Sequence, residues 1–224
     1  MKNSIKVLSI IVLMFTSFYY TEKIAAFVQN RTPLKKKIIS VKEDNRIIPV
    51  NAVIDGKYII PGINGLEVDV DKSYEKMKSY NVFSESELAF TQVQPEISIE
   101  SHNDKIILGG NRLKKAVSFV IDDSNIRAIE YLSLKNIPFI FVQNNDYCFY
   151  EIDIECQNKS KVKISKMISS ENISKEINEI KSGDIIYLMD NLEDKYLNLI
   201  INRVNFFNYK ISTLHELLSE KNVI

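Results

Sequence analysis

Strand-like and helix-like patterns of apolar residues alternate through the second half of the chain. Ala116–Ile121 is a mainly apolar run that predicts a strand, residues 124–135 have helical spacing, and residues 138–142 again predict a strand. Strand, helix and strand in succession are typical of a βαβ unit with a parallel sheet. The continuous apolar run over 184–189 suits a parallel strand that is covered on both faces. The pattern therefore predicts an α/β domain over residues 113–224.

The remaining elements of this domain are less distinct. The sequence predicts strands over 147–154, 161–164 and 210–213, a polar helix within 170–181, a helix from Asn191 and a closing helical turn over 214–219. A complete (β/α) barrel needs roughly 200 residues or more, so a domain over 113–224 is too short to form one. We therefore expect an incomplete (β/α) barrel-like domain.

The region before this domain, residues 38–112, has shorter and more varied patterns. It contains strand-like runs over 37–41, 46–54, 57–60, 88–93 and 95–100. An Asp55-Gly56 turn between the second and third of these runs predicts a hairpin. Asp71 is a candidate cap of a helix that ends near Asn81. Together these signals predict a small α+β region.

The N-terminus has the pattern of a targeting or anchoring segment over residues 1–28. Lys2 and Lys6 precede an uncharged apolar run over 7–21. Fifteen residues are short for a membrane span of about 20, but they suit the core of a signal peptide. Ala25-Ala26 is a poor cleavage signal, so we favour an uncleaved single-pass anchor over a cleaved, secreted form. A buried N-terminal helix of a cytosolic protein is the third alternative.

An anchor implies a membrane protein whose bulk is extracellular, with a polar stalk over residues 29–37. Lys+Arg and Asp+Glu both number 29, so no excess of charge points to a nucleic-acid partner. The chain has two cysteines, Cys148 and Cys156, which do not make a disulfide framework. Their separation allows pairing only across a turn. Two reduced thiols are the expected state, with pairing left open.

The candidate chemistry lies at the end of the strand over Ala116–Ile121, where Asp122 and Asp123 follow directly. Paired carboxylates at the end of a strand can turn toward one pocket, with one acting as a base and the other as a metal ligand. On the residues alone the favoured interpretation is that both cap the helix that follows from Ser124, which requires no active site.

Several motifs resemble the polysaccharide deacetylase (NodB-homology, carbohydrate esterase family 4) proteins. Residues 115–124 resemble the family's T-F-D-D-G motif, and residues 136–142 its second strand. Residues 181–190 are similar to its G-D-I-I-L-x-H strand, and residues 207–218 to its closing G-Y-x-F-V-T-L-S-E-L-L segment. Residues 61–90 resemble a region that precedes such domains in some envelope proteins. The resemblance implies an α/β deacetylase fold.

The resemblance assigns Asp122 as the catalytic base and Asp123 as the metal-binding aspartate. It ends there, because the family's H-[ST]-x-x-H motif supplies two zinc-binding histidines that this chain lacks. The chain has only His102 and His215, which are far apart and outside any such motif. A catalytic metal needs about three protein ligands and an open position, and Asp123 alone cannot hold zinc.

Two functions follow from these observations. The favoured one is a membrane-anchored envelope protein whose deacetylase-like domain is inactive, needs no cofactor and binds cell-wall glycan or another partner. The alternative is a metal-dependent carbohydrate or peptidoglycan N-deacetylase, a hydrolase of amide C–N bonds. In that case Asp122, Asp123 and Asp190 form an all-oxygen site for Mn²⁺ or Mg²⁺, or for Zn²⁺.

Overall fold

A computed structural model describes residues 11–21, 32–143, 146–150, 152, 159–189 and 192–222. The strands are β1 (Val53–Asp55), β2 (Tyr58–Ile60), β3 (Gly65–Val68), β4 (Phe90–Val93), β5 (Ile106–Ile107), β6 (Ala116–Ile121), β7 (Phe139–Phe141), β8 (Tyr147–Tyr150), β9 (Ser160–Lys163), β10 (Lys166–Ile168), β11 (Ile185–Leu188) and β12 (Lys210–Ile211). The helices are α1 (residues 11–21), α2 (Pro33–Ser40), α3 (Val70–Met77), α4 (Ile126–Leu134), α5 (Ile173–Glu176), α6 (Asp194–Phe206) and α7 (Leu214–Leu218). The chain forms two compact units, one of residues 1–47 with 66–92 and one of residues 48–65 with 93–224.

In the first unit, α2 and α3 pack around a small apolar core that includes Ile38 and Met77. The strand predicted over 37–41 is wrong, because these residues continue or directly follow α2. Thr32 caps this helix by accepting a hydrogen bond from Lys35 N, and Pro33 suits its first turn. The same helix includes residues 33–37 of the predicted stalk.

The cap of α3 is also different from the one predicted. Asp69, not Asp71, accepts the hydrogen bond from Lys72 N, at 3.0 Å. Asp71 instead forms an ion pair of 2.7 Å with the buried Lys35. The helix therefore begins two residues earlier than its polar pattern indicates.

The second unit contains a parallel central sheet in the order β10-β11-β6-β12, with β7 also paired to β6. All six residues of β6 are buried, as expected for a strand between helical layers. Residues from α4 and α6 join this strand and β11 in one apolar core, including Leu132, Leu197 and Val204. The βαβ unit and the strand over 184–189 are confirmed, whereas β10 was missed because three residues are too few to show a strand pattern.

A second sheet of this unit has the order β1-β2-β5-β9-β8. The predicted hairpin is confirmed, since β1 and β2 pair antiparallel; Asp55 is the last residue of β1 and pairs with Tyr58, so the turn itself is Gly56-Lys57. The strand predicted over 95–100 is wrong, and a short 3-10 helix begins at Glu100. Cys148 is disulfide-bonded, contrary to the expected reduced state, and Cys156 lies outside the described residues.

The α/β class is confirmed, and the described strands form separate sheets without a closed barrel. Of the predicted anchor over 1–28, the structure describes only residues 11–21, which are helical and exposed. Within the described part of the chain, no helix has both the length and the apolar character needed to span a membrane.

Candidate functional site

The carboxyl edge of the central sheet carries the candidate site. Parallel pairing aligns Ile121 with Leu188 on one neighbour and with Phe141 on another, so three strands end at the same level. Val142 N donates to Ile121 O at 2.9 Å, which extends the pairing past the end of β7. Asp122 and Asp123 follow β6 at this edge, where ligands of parallel sheets commonly bind.

Asp122 is engaged in a local turn. Its Oδ1 atom accepts hydrogen bonds from Ser124 N at 3.0 Å and from Ser124 Oγ at 2.7 Å. These bonds, with a smaller contribution from Asp123, hold the pKa of Asp122 below its ordinary value, because they favour the charged carboxylate. Asp122 is half-buried and Asp123 is exposed. An ionised carboxylate has the protonation state of a general base, but here the bonds to Ser124 occupy one of its oxygens.

Asn125 is the residue at this edge that the sequence analysis missed. It is only 3% exposed, and its Oδ1 atom caps α4 by accepting from Ala128 N at 3.2 Å. Its Nδ2 atom donates to Leu188 O at 3.2 Å and so ties the end of β11 to the start of α4. The prediction that Asp122 and Asp123 cap this helix is wrong, because Asn125 does so. An asparagine directly before an apolar helical run was the available signal.

The described residues do not fit the zinc site of a deacetylase. No group of three His, Cys, Asp or Glu side chains that could hold a metal ion occurs in the described part of the chain. His102 is the last residue of a 3-10 helix, and its Nδ1 atom lies 2.9 Å from Ser98 O. His215 lies in α7, with its Nδ1 atom 3.4 Å from Tyr147 Oη. Neither histidine belongs to an element that ends at the Asp122 edge.

Asp190, the third carboxylate of the predicted all-oxygen site, lies outside the described residues. Met189, the residue before it, follows β11 and donates from its backbone N to Ile168 O at 2.8 Å. The roles of Asp122, Asp123 and Asp190 in catalysis or metal binding stay predictions.

Comparison with known proteins finds one short sequence match to a curated protein and a similar fold in solved structures. No protein-family model matches the sequence. Over 94 residues the chain is 36% identical to the uncharacterized protein YlxY of Bacillus subtilis (strain 168), a match that covers 42% of this chain. The chain spans only 30% of the length of YlxY.

Two similar crystal structures are of BA3943, a CE4 family pseudoenzyme from Bacillus anthracis. The wild-type structure has a TM-score of 0.56 and 19% sequence identity, covering 85% of this chain and 96% of BA3943. A BA3943 mutant with restored enzymatic activity has a TM-score of 0.57 and 19% identity, covering 85% of this chain and 99% of the mutant. At this identity the likeness concerns the fold alone. The chain therefore has a mixed α/β fold of the polysaccharide deacetylase-like kind.

Proposed function

We propose that this chain is a membrane-anchored envelope protein whose deacetylase-like domain binds cell-wall glycan without hydrolysing it. The observation that carries the proposal is the state of the Asp122 edge. Asp122 bonds to Ser124 rather than pointing to a set of metal ligands, and neither histidine of the chain belongs to this edge. A deacetylase needs a metal or an equivalent means of activating water, and one exposed aspartate does not provide it.

The similarity to BA3943 supports this proposal. That protein is a CE4 family pseudoenzyme, and activity is restored in a mutant of it. A fold of this kind can therefore persist without its reaction. The N-terminal apolar run behind Lys2 and Lys6 supports the anchored, extracellular arrangement of our proposal.

The test combines activity and binding with the full-length chain in detergent. Acetate release is measured from acetylated chitooligosaccharides and peptidoglycan fragments after incubation with Zn²⁺, Mn²⁺ or Mg²⁺, and bound metal is measured by mass spectrometry. We expect no turnover and no stoichiometric metal. Retention of the protein on insoluble peptidoglycan, measured by co-sedimentation, is expected in the same preparation.

The control variants separate the two halves of the proposal. Asp123→Asn is compared with Asp55→Asn, which changes an exposed aspartate of β1 away from this edge. Turnover in the wild type that only Asp123→Asn abolishes would refute an inactive domain. Failure to co-sediment with peptidoglycan would refute glycan binding, whatever the activity.

The alternative, a metal-dependent N-deacetylase, has one observation in its favour. The parallel register of β6 and β11 ends both strands at one level, and Asp190 follows β11 in sequence by two residues. Carboxylates on neighbouring strand ends are suitable ligands for Mn²⁺ or Mg²⁺. In this case Asp122→Asn, Asp123→Asn and Asp190→Asn would each remove metal-stimulated acetate release, whereas Asp55→Asn would not.

A further inference from the structure

A cleft of about 330 Å³ lies at the opposite, amino edge of the central sheet. Ala116 and Lys210, the first residues of β6 and β12, pair with each other and line it. Asp122 follows the other end of β6, so this cleft is separate from the candidate site above. We call it the lysine cleft; its charged or hydroxyl-bearing lining residues are Lys114, Lys210, Ser212, Glu216 and Lys221.

The lysine cleft carries an excess of positive charge. Three lysines and one glutamate line it, although lysines plus arginines balance acidic residues over the whole chain. Lys210 Nζ is 3.9 Å from the Glu216 carboxylate in an exposed pair, which is a weak interaction in water. In the described part of the chain, no carboxylate lies within ion-pair distance of Lys221. Glu216 in the lining and Glu220, the chain neighbour of Lys221, offset part of this charge, and the three lysines leave the cleft with a net positive charge.

Lys114 is fixed in place at the cleft. Its Nζ atom donates to Glu216 O at 2.7 Å and to Ser219 O, the carbonyls near the end of α7. Burial lowers the pKa of Lys114, and the charges of Glu220 and Glu216 oppose this change. The carboxylate of Glu220 itself accepts hydrogen bonds from Gly62 N and Ile99 N. An ammonium group has three donors, so one donor of Lys114 remains for a ligand.

Ser212 provides an independent sign that the cleft receives a ligand. The residue is only 3% exposed, and its buried Oγ atom has no hydrogen-bond partner. The backbone cannot shift easily to find one, because Ser212 N donates to Val117 O at 2.9 Å. Buried hydroxyl groups nearly always have a partner, and an exception needs an explanation. An acceptor atom bound in the cleft would supply that partner.

We propose that the lysine cleft binds the phosphate group of a small phosphate ester, with Ser212 Oγ donating to a phosphate oxygen. The described lining contains lysines and no arginine. Lysine binds phosphate as a point charge, whereas carboxylate recognition favours the two-pronged arginine group. The volume is at the lower end of the roughly 300–1,000 Å³ of small-molecule pockets, which suits a phosphate with an attached sugar or glycerol.

Isothermal titration calorimetry of the full-length chain in detergent tests this proposal, with inorganic phosphate, glycerol 3-phosphate and glycerol as titrants. We expect glycerol 3-phosphate to bind, glycerol not to bind, and added salt to weaken binding. Ser212→Ala should weaken binding about threefold to tenfold, as for loss of one hydrogen bond. The double variant Lys210→Gln/Lys221→Gln should weaken it at least as much.

Matched controls make the result specific. Ser118→Ala removes another buried hydroxyl without a partner, from β6 and outside the cleft lining, and Lys76→Gln removes an exposed lysine of α3. Both should bind as the wild type does. No binding by the wild type, or equal weakening by the controls, would overturn the proposal.

A poly(glycerol phosphate) titrant then distinguishes two sources of the same chemistry. Tighter binding of the polymer than of the monoester would assign the site to a phosphodiester polymer, and the reverse to a soluble phosphate ester. Either result is independent of the peptidoglycan and acetate measurements, so the two proposals can fail separately.

Discussion

The two ends of β6 differ in how their polar groups are satisfied. At the carboxyl end, Asp122 bonds to Ser124, and Asn125 bonds to both α4 and β11. At the amino end, Ser212 Oγ has no hydrogen-bond partner, and three lysines line one cleft with a single glutamate. Resemblance to a known family directs attention to the first end, whereas unmatched polar groups are found at the second. The two ends of one strand thus differ in how fully the surrounding residues satisfy their polar groups.

The largest expected loss of stability comes from disrupting the backbone packing at the amino end of β6. Gly183 has a φ of +93°, and its N atom donates to Ala116 O at 2.7 Å. A Cβ atom at this position would overlap the carbonyl oxygen of Gly110. Gly183→Ala should therefore lower the free energy of unfolding by about 3 kcal/mol or more, from strain and overlap together. Urea denaturation measures this loss.

Gly56→Ala is the matched control for that change. Gly56 also has a positive φ, of +55°, but no atom lies within 4 Å of its added Cβ. Only conformational strain remains, which is about 1 kcal/mol. Equal losses of unfolding free energy in Gly183→Ala and Gly56→Ala would mean that the close contact with Gly110 does not contribute to stability.

A smaller loss of stability is expected from a substitution at the carboxyl end of β6. Asn125→Ala removes the cap of α4 and the hydrogen bond to Leu188 O, and it leaves a buried carbonyl without this donor. The free energy of unfolding should fall by about 2 kcal/mol. Asn125→Ser keeps a capping oxygen but not the amide donor, so urea denaturation should place it between the wild type and Asn125→Ala. Equal stability of Asn125→Ser and the wild type would contradict the role of the Leu188 bond, and equal stability of the two variants would contradict the role of the cap.

The smallest effect concerns the pH dependence of stability. Since the folded pKa of Asp122 is below its ordinary value of 3.8, its carboxylate stabilises the fold above that pH. This contribution is lost as the pH falls through the folded pKa. Because the site is partly open to solvent, we expect only a few tenths of a kcal/mol. Between pH 7 and about pH 2, Ser124→Ala and Asp122→Asn should lose less stability in urea denaturation than the wild type. Identical pH profiles would contradict this role of Ser124.

Local signals in the sequence predicted β6 and the β1–β2 hairpin well. The apolar run of β6 and the Asp55-Gly56 turn signal specify their elements with little help from distant residues. By contrast, the β-like residues 37–41 are mostly helical or adjoin a helix, because Thr32 and Pro33 start α2 just before them. A pattern of apolar residues alone does not show that a capping residue upstream has already started a helix.

The candidate sites were predictable to different degrees. The position of Asp122 after β6 follows from sequence, but its bond to Ser124 and the dual role of Asn125 require the strand ends to be aligned. The lysine cleft could not be predicted, because Lys114 and Ser212 meet only through the pairing of β6 with β12. No short-range pattern records a contact between residues so far apart in the chain.

The register of β6 also constrains the order in which the protein can fold. During synthesis, β7 and α4 follow β6 closely, so this local pairing can form first. The partners of Ser118 and Ala116, which are Ile185 and Lys210, emerge much later, and closing such long loops is slow. A nascent chain therefore carries a mainly apolar strand with unpaired edges while more than sixty further residues are made. Until β11 and β12 arrive, that strand is the segment most in need of protection from aggregation.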